Sequence, residues 1–273
     1  LKILRRFKIL KTFFTLKQEI HLKTIGIMGA MEEEIAGIRT LLENPSEIKV
    51  ASRIFSTGFI KNQPVVLVFS RWGKVAAAST ASSLIHHFGV DEILFTGVAG
   101  ALDPKLNIGD VVLGNKMYQH DMDASPFLEP FEIPYLKARF FEPDKNHLAR
   151  AVLALENLLT KSQLDSIFSP DVWEKFNLER PKWTLGDIAS GDRFINGEEE
   201  KTGLQKKLPE VKCVEMEGAA VAQVCHEHQI PWTIIRIISD AANQHSHVDF
   251  QSFIKEIAAQ YSREIIKQYF EPS

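Results

Sequence analysis

The sequence predicts an α/β fold, one domain with a mixed central sheet flanked by helices, and three observations carry that prediction. From Thr24 onward, short Val/Ile/Leu-rich runs alternate with longer segments of helical period, the pattern of βαβ-type units. The runs are almost continuously apolar, as strands covered on both faces must be. Where runs give way to helices, the chain places glycines and carboxylates rather than plain turn residues. A length of 273 residues suffices for one large core without division into two domains.

In chain order, the strands are expected at Thr24–Met28, Pro64–Phe69, Glu92–Phe95, Asp110–Leu113, Thr184–Ala189, Val211–Val214 and Trp232–Ile238. Val75–Phe88 is rich in Ala and Ser, so a helix there can approach a sheet closely. Glu217–His228 reads as a helix that follows a strand directly. The last helix, Asp249–Phe270, sets Phe253, Ile257, Tyr261 and Ile265 on one face, with Asp249 as a candidate N-cap. Residues 160–182 contain Pro170, Trp173 and Pro181 without periodicity and read as an irregular insertion.

Residues 1–23 form a basic extension ahead of the domain, which occupies 24–273. They hold seven Lys or Arg against one acid, so they carry +6 and the remainder −9 of a total of −3. Ile3, Leu4, Phe7, Leu10 and Phe14 follow helical spacing, and a basic amphipathic helix can rest on a membrane or act as a targeting segment. The reading adopted is an extension before the first compact strand, with membrane contact through residues 1–23 kept as the lesser alternative. No run approaches the roughly 20 apolar residues of a spanning helix, and the net negative charge argues against a nucleic-acid partner. The two cysteines, Cys213 and Cys225, lack metal-type spacing and read as buried free thiols in a reducing cytoplasm. The close histidine pairs (His86 and His87, His226 and His228, His245 and His247) have no carboxylates at ligand spacing, so they read as surface or cap residues and no metal is expected.

Ligands of open α/β sheets bind at the carboxyl ends of strands. The first such end runs into Gly29-Ala30-Met31-Glu32-Glu33-Glu34, where acids suit a helix N-terminus but would repel a phosphate. Gly26 and Gly29 do not complete a dinucleotide fingerprint, so no cofactor is implied. A second end holds Thr96-Gly97-Val98-Ala99-Gly100, whose glycines permit close backbone approach. A third holds Glu215-Met216-Glu217, in which one carboxylate can serve the helix dipole while the other points elsewhere and can accept two ribose hydroxyls. The fourth, Arg236-Ile237-Ile238-Ser239-Asp240, brings an acid out of a dry strand, where desolvation favours its protonated form.

Together, GAMEEE (29–34), GKVAAA (73–78), TGVAG (96–100), GDVVL (109–113), SGDRFI (190–195), VEMEGAAVA (214–222) and RIISDAANQHSHVDF (236–250) resemble the 5′-methylthioadenosine/S-adenosylhomocysteine nucleosidase family of the nucleoside phosphorylase superfamily. The resemblance runs in family order from about residue 24 to the C-terminus. It implies a nucleoside phosphorylase-like fold, an adenine nucleoside as substrate, and hydrolysis of its N-glycosidic bond without cofactor. By the same resemblance, Asp240 is the general acid at the purine and Glu34 activates the attacking water. Glu217, beside Met216, holds the ribose hydroxyls; Phe194 stacks on adenine and the backbone of Ile195 reads its edge. Arg236 and Ser239 position Asp240, and Met31, Trp72 and Phe250 flank the sugar and its 5′ substituent. Phe127 of a twofold-related subunit completes that apolar pocket, because the family is dimeric.

The chemistry fits two carboxylates in different environments, one supplying a proton and one negative charge beside an oxocarbenium-like sugar. An unperturbed Asp titrates near 3.9, so Asp240 needs burial or a shared proton. Two positions depart from the family: Val98 stands where a hydroxyl residue usually helps hold the acid, and Trp72 replaces a smaller aliphatic. The alternatives are a phosphorylase of the same superfamily, a hydrolase of aminodeoxyfutalosine-type nucleosides, and a non-catalytic nucleoside-binding protein. Glu34 sits where a phosphorylase would need phosphate, and a storage protein has no need of all three carboxylates.

Overall fold

A computed structural model describes residues 22–176, 178, 180–242 and 253–271. Nine strands form one sheet: β1 (Ile25–Gly29), β2 (Glu43–Val50), β3 (Arg53–Ile60), β4 (Gln63–Phe69), β5 (Glu92–Ala101), β6 (Val111–Gln119), β7 (Trp183–Ser190), β8 (Val211–Glu215) and β9 (Trp232–Asp240). Their order is β2-β3-β4-β1-β5-β8-β7-β6-β9, and β5 also pairs with β9. The sheet therefore closes on itself through β5, β8, β7, β6 and β9. It is mixed, as expected: β1 is parallel to β4 and β5, whereas β5 meets β8 and β6 meets β9 antiparallel.

The helices are α1 (Glu32–Arg39), α2 (Lys74–Phe88), α3 (Lys145–Leu158), α4 (Lys161–Ile167), α5 (Pro170–Lys175), α6 (Glu198–Lys207), α7 (Gly218–His228) and α8 (Ala259–Tyr269), with a π-helical turn at Ile254–Ala258 leading into α8. Strands buried on both faces need two helical layers. One layer packs Ile35 and Ile38 of α1, Leu155 of α3 and Ile265 of α8 on the sheet. The other brings Ala77, Ala81 and Leu84 of α2 beside Ala219 and Ala222 of α7. The small residues of α2, singled out in the sequence, are the ones that allow this close approach.

Three expectations need adjustment. The antiparallel pair β2–β3 was not anticipated, because its outer strand is largely polar and exposed. Strand β5 runs through the TGVAG segment instead of ending before it, since β9 pairs with it along that length. Residues 160–182 are not irregular throughout: they contain α4 and α5, and Leu164, Ile167 and Phe168 are buried in the α1–α3–α8 layer. Phe168 sets its ring edge-on to Tyr261 at 5.3 Å, which fastens the insertion to the C-terminal helix. The proposed cap Asp249, together with Phe250, His245 and His247, lies outside the described residues. Cys213 and Cys225 are buried free thiols, and His86, His87, His226 and His228 are exposed at helix ends. No described helix is long and apolar enough to cross a membrane.

Candidate active site

Strand pairing gathers the singled-out junctions at one end of the sheet. In register, Gly97 lies beside Arg236, Gly100 beside Asp240 and Ser190 beside Glu215. A cavity of about 400 Å³ opens there, with Glu217, Asp240, Met31, Trp72, Phe194 and Ile195 in its wall. Val98, Met216, Ser239 and Glu215 also contribute to it. Glu34 and Arg236 are not in the wall; both are buried behind it.

The β1–α1 turn explains which of three consecutive acids matters. Ala30 and Met31 present main-chain N–H groups at the start of a helix, where no intrahelical partner exists. Glu34 reaches back so that its Oε2 accepts both, at 3.0 Å each. Glu32 instead faces solvent and bonds Arg39 at 3.2 Å. Glu34 is fully buried, and its Oε1 has no hydrogen-bond partner among the described residues. Burial lifts its pKa to about 7, against the opposing pull of the Arg236 guanidinium and the two N–H groups. One carboxylate oxygen is thus fixed and the other can accept a proton from water.

The two glutamates around Met216 have separate duties. Glu215 accepts from the N–H of Glu217 at 3.1 Å, from that of Gly218 at 2.8 and 2.9 Å, and from the Ser190 hydroxyl. Its Oε2 also accepts from Arg236 Nε and Nη2 at 3.1 and 2.6 Å, a buried two-point pair. Glu217 faces the cavity, with Oε1 held by the Gly73 N–H at 2.7 Å. Burial and the neighbouring Glu215 charge push its pKa well above the usual carboxylate range. Asp240 is buried at the end of β9, where Oδ2 accepts from the Ser239 hydroxyl and Oδ1 from the Ala242 N–H, each at 2.8 Å.

Arg236, expected beside Asp240, has its guanidinium bonded to Glu215 and lying over Phe95, 4.1 Å from the ring centroid. Ser239 does hold Asp240, and with the Ala242 N–H it fixes both carboxylate oxygens although Val98 brings no hydroxyl. The glycines of TGVAG make room for protein carboxylates. A Cβ at Gly97 would stand 3.3 Å from Arg236 Nη1 and 3.6 Å from Glu34 Oε1, and one at Gly100 only 2.9 Å from Asp240 Oδ1. Trp72 leans on Met31, its Nε1 donating to the sulfur at 3.0 Å, and remains 61% exposed at the cavity mouth. Phe127 is 89% exposed and takes no part in this chain's own cavity.

Sequence reasoning missed Glu215 as the partner of Arg236, a contact between residues 21 apart with no local signature. It also missed Arg193, which borders the cavity and pairs with Glu200 of α6, although it directly precedes the singled-out Phe194. Among the described residues, no cluster of His, Cys, Asp and Glu has the arrangement of a metal site.

Comparison with known proteins supplies context for this geometry. The family model of the Phosphorylase superfamily matches residues 24–271. A 5′-methylthioadenosine/S-adenosylhomocysteine nucleosidase of Staphylococcus aureus is 35% identical over 242 residues, covering 88% of this chain and 96% of that protein. The MTA/SAH nucleosidase of Streptococcus pneumoniae, solved in complex with 8-aminoadenine, superposes with a TM-score of 0.77 at 34% identity, over 90% of this chain and 98% of that one. The futalosine hydrolase of Helicobacter pylori superposes with a TM-score of 0.76 at 31% identity, over 91% and 97% of the two chains.

Proposed function

The chain belongs to the 5′-methylthioadenosine/S-adenosylhomocysteine nucleosidase family of the phosphorylase superfamily, and from that premise we propose that it hydrolyses the N-glycosidic bond of these two nucleosides, releasing adenine and a 5-thioribose. The observation that carries the reading is one apolar-walled cavity with Glu217 and Asp240 facing it and Glu34 buried directly behind. Asp240 donates a proton to the imidazole nitrogen of the purine, and the electron pair of the C1′–N9 bond leaves with adenine. The sugar left behind is cationic, and Glu217 holds its hydroxyls. Glu34 Oε1 takes a proton from the water whose oxygen bonds to C1′. A positioned acid or base contributes about 10²–10⁴ in rate.

Phe194 and Ile195 would receive the base, while Met31 and Trp72, with Phe250, would flank the sugar and its 5′ group. The phosphorylase alternative needs cationic donors around phosphate. Arg236 is committed to Glu215, and the Gly73 and Lys74 N–H groups at the start of α2 are committed to Glu217 and Asp192. The protein acts as a homodimer in the cytoplasm, where it serves methionine salvage. The exposure of Phe127 and of Tyr135, which is wholly exposed, supports a partner surface in that region.

The test is adenine release by purified protein from methylthioadenosine, S-adenosylhomocysteine and an aminodeoxyfutalosine-type nucleoside, with and without phosphate. Phosphate-independent release from the first two is expected. A strict phosphate requirement would make the enzyme a phosphorylase, and preference for the third would align it with the futalosine hydrolase. Light scattering tests the dimer: a fully active monomer at micromolar concentration would exclude it.

A further inference from the structure

Glu217 is held by a main-chain group rather than by a side chain, so whatever fixes that main chain also fixes the carboxylate. The group is the N–H of Gly73, the residue preceding α2. Gly73 has φ +90° and ψ 160°, a conformation that side-chain-bearing residues rarely adopt. Nothing intrinsic to a glycine confines it there, and its neighbours must do so.

The neighbour against it is Asp192. A Cβ built on Gly73 would stand 2.9 Å from Asp192 Oδ1, and the same oxygen accepts the next main-chain N–H, that of Lys74, at 2.7 Å. Two consecutive donors at the start of α2 are thus each taken by a carboxylate from a different junction. Asp192 is itself held: its N–H donates to Asp121 Oδ2 at 2.9 Å, and Asp121 Oδ1 pairs with Lys74 Nζ at 2.6 Å. Lys74 Nζ also donates to Gln119 Oε1 at 3.2 Å. Burial would raise the Asp121 pKa, but the Lys74 contact and the Asp192 N–H outweigh it and hold that carboxyl below its ordinary range. The contacts close a ring from Lys74 N through Asp192 and Asp121 back to Lys74 Nζ. That ring joins the end of β6, the loop after β7 and the start of α2. Its loop member lies two residues before Phe194.

We infer that Asp192 is a positioning residue for Glu217, acting through the Gly73–Lys74 main chain, with Asp121 and Lys74 holding it in place. The inference rests on the reading of Glu217 as the ribose-binding carboxylate. Asp192 touches no reacting atom. Removing its carboxylate frees Gly73 to turn, so the Glu217 plane is no longer fixed, while the wall that receives the base keeps its side chains.

The experiment measures Kd for adenine and for a methylthioadenosine analogue that resists hydrolysis because carbon replaces the purine N7. Wild-type protein should bind the analogue more tightly than adenine. Asp192→Ala should weaken the analogue about two- to tenfold, the range of one ordinary hydrogen bond, and leave adenine within twofold. Asp192→Asn keeps an oxygen for the Lys74 N–H and should stay near wild type, while Asp121→Asn should follow Asp192→Ala with a smaller loss. In a Glu217→Ala background, Asp192→Ala should change analogue binding by less than twofold. Equal losses for adenine and analogue, no loss at all, or an undiminished loss in the Glu217→Ala background would each overturn the inference. A wild-type protein that binds the analogue no better than adenine would defeat the ribose reading first, and this inference with it. Wild-type discrimination with an unaltered Asp192→Ala would defeat this inference alone.

Discussion

Glu34 offers a quantitative test, because its rate and stability consequences come from one proton. The perturbation is a change of pH between 5.5 and 8, with Glu34→Gln as reference. The Glu34 pKa is about 7, raised from 4.5 by burial. A base must be ionised, so the contribution of Glu34 to kcat/KM should fall as pH drops below 7. At pH 5.5 about 3% of the carboxyl is ionised, an expected loss of about thirtyfold from the plateau.

The stability effect has the opposite direction. A carboxyl whose folded pKa is raised binds its proton more tightly in the folded protein, so that stabilisation is full below 4.5 and is lost as pH rises to 7. The difference of 2.5 units corresponds to about 3 kcal/mol. For a chain of this size that is roughly 6–12 °C in Tm. The assay is kcat/KM by adenine release across the pH range, with thermal unfolding of both proteins in the same buffers. Wild type should lose more Tm than Glu34→Gln on going from pH 5 to 8. A flat kcat/KM down to pH 5.5, together with parallel Tm profiles, would refute both the buried ionisation and the base role.

Three further outcomes are expected. Asp240→Asn should lower single-turnover adenine release by about 10²–10⁴ and leave nucleoside Kd within a few-fold, and an active variant would place the proton donor elsewhere. Glu215→Gln should destabilise the fold by about 3–5 kcal/mol, because it leaves the Arg236 guanidinium buried without its ion-pair partner; urea unfolding with no change in midpoint would contradict this. Methylthioadenosine should exceed adenosine in kcat/KM by about one to two orders of magnitude, since a 5′ hydroxyl against Met31 and Trp72 loses water without gaining a partner. Equal specificity constants would sink the apolar-wall argument.

The sequence made the sheet legible wherever strands are buried on both faces, as in Trp232–Asp240, whose nine residues are all buried. It failed where tertiary pairing overrode local preference. Thr96-Gly97-Val98-Ala99-Gly100 looks like a turn because glycine disfavours strands, yet pairing with β9 holds it extended. Strand β2 begins Glu43-Asn44-Pro45-Ser46, polar residues that carry no alternation until Ile48. At the site, Glu34 was separable in principle from Glu32 and Glu33, because it lies four residues before Ile38 on the buried face of α1. Asp240 stands out by its place at the end of β9, whereas of the two glutamates at the end of β8 only the family resemblance points to Glu217. The Arg236–Glu215 pair does not stand out: both its members were visible, but neither strand's pattern says that the side chain from the middle of β9 meets the one at the end of β8 at 2.6 Å.

That pair determines what the other carboxylates can do. Among the described residues, Arg236 is the only guanidinium buried beside Glu34, Glu215 and Glu217, and Glu215 occupies two of its nitrogens. Glu34 and Glu217 are left with main-chain N–H donors, which is why burial raises both pKa values in spite of the nearby cation. Two such groups tend to retain a proton while the site is uncharged, since ionising both places like charges in a poorly screened space. A sugar that becomes cationic as its base departs reverses the balance: positive charge at C1′ lowers both pKa values just when a base and a counter-charge are needed. The same arrangement is hostile to a phosphate dianion, which would raise those pKa values further and, among the described residues beside Glu34 and Glu217, find the one buried arginine already paired. With its buried arginine held by Glu215, the described site offers Glu34 and Glu217 no side-chain cation to share with a phosphate, which supports the proposed reading of water as the nucleophile.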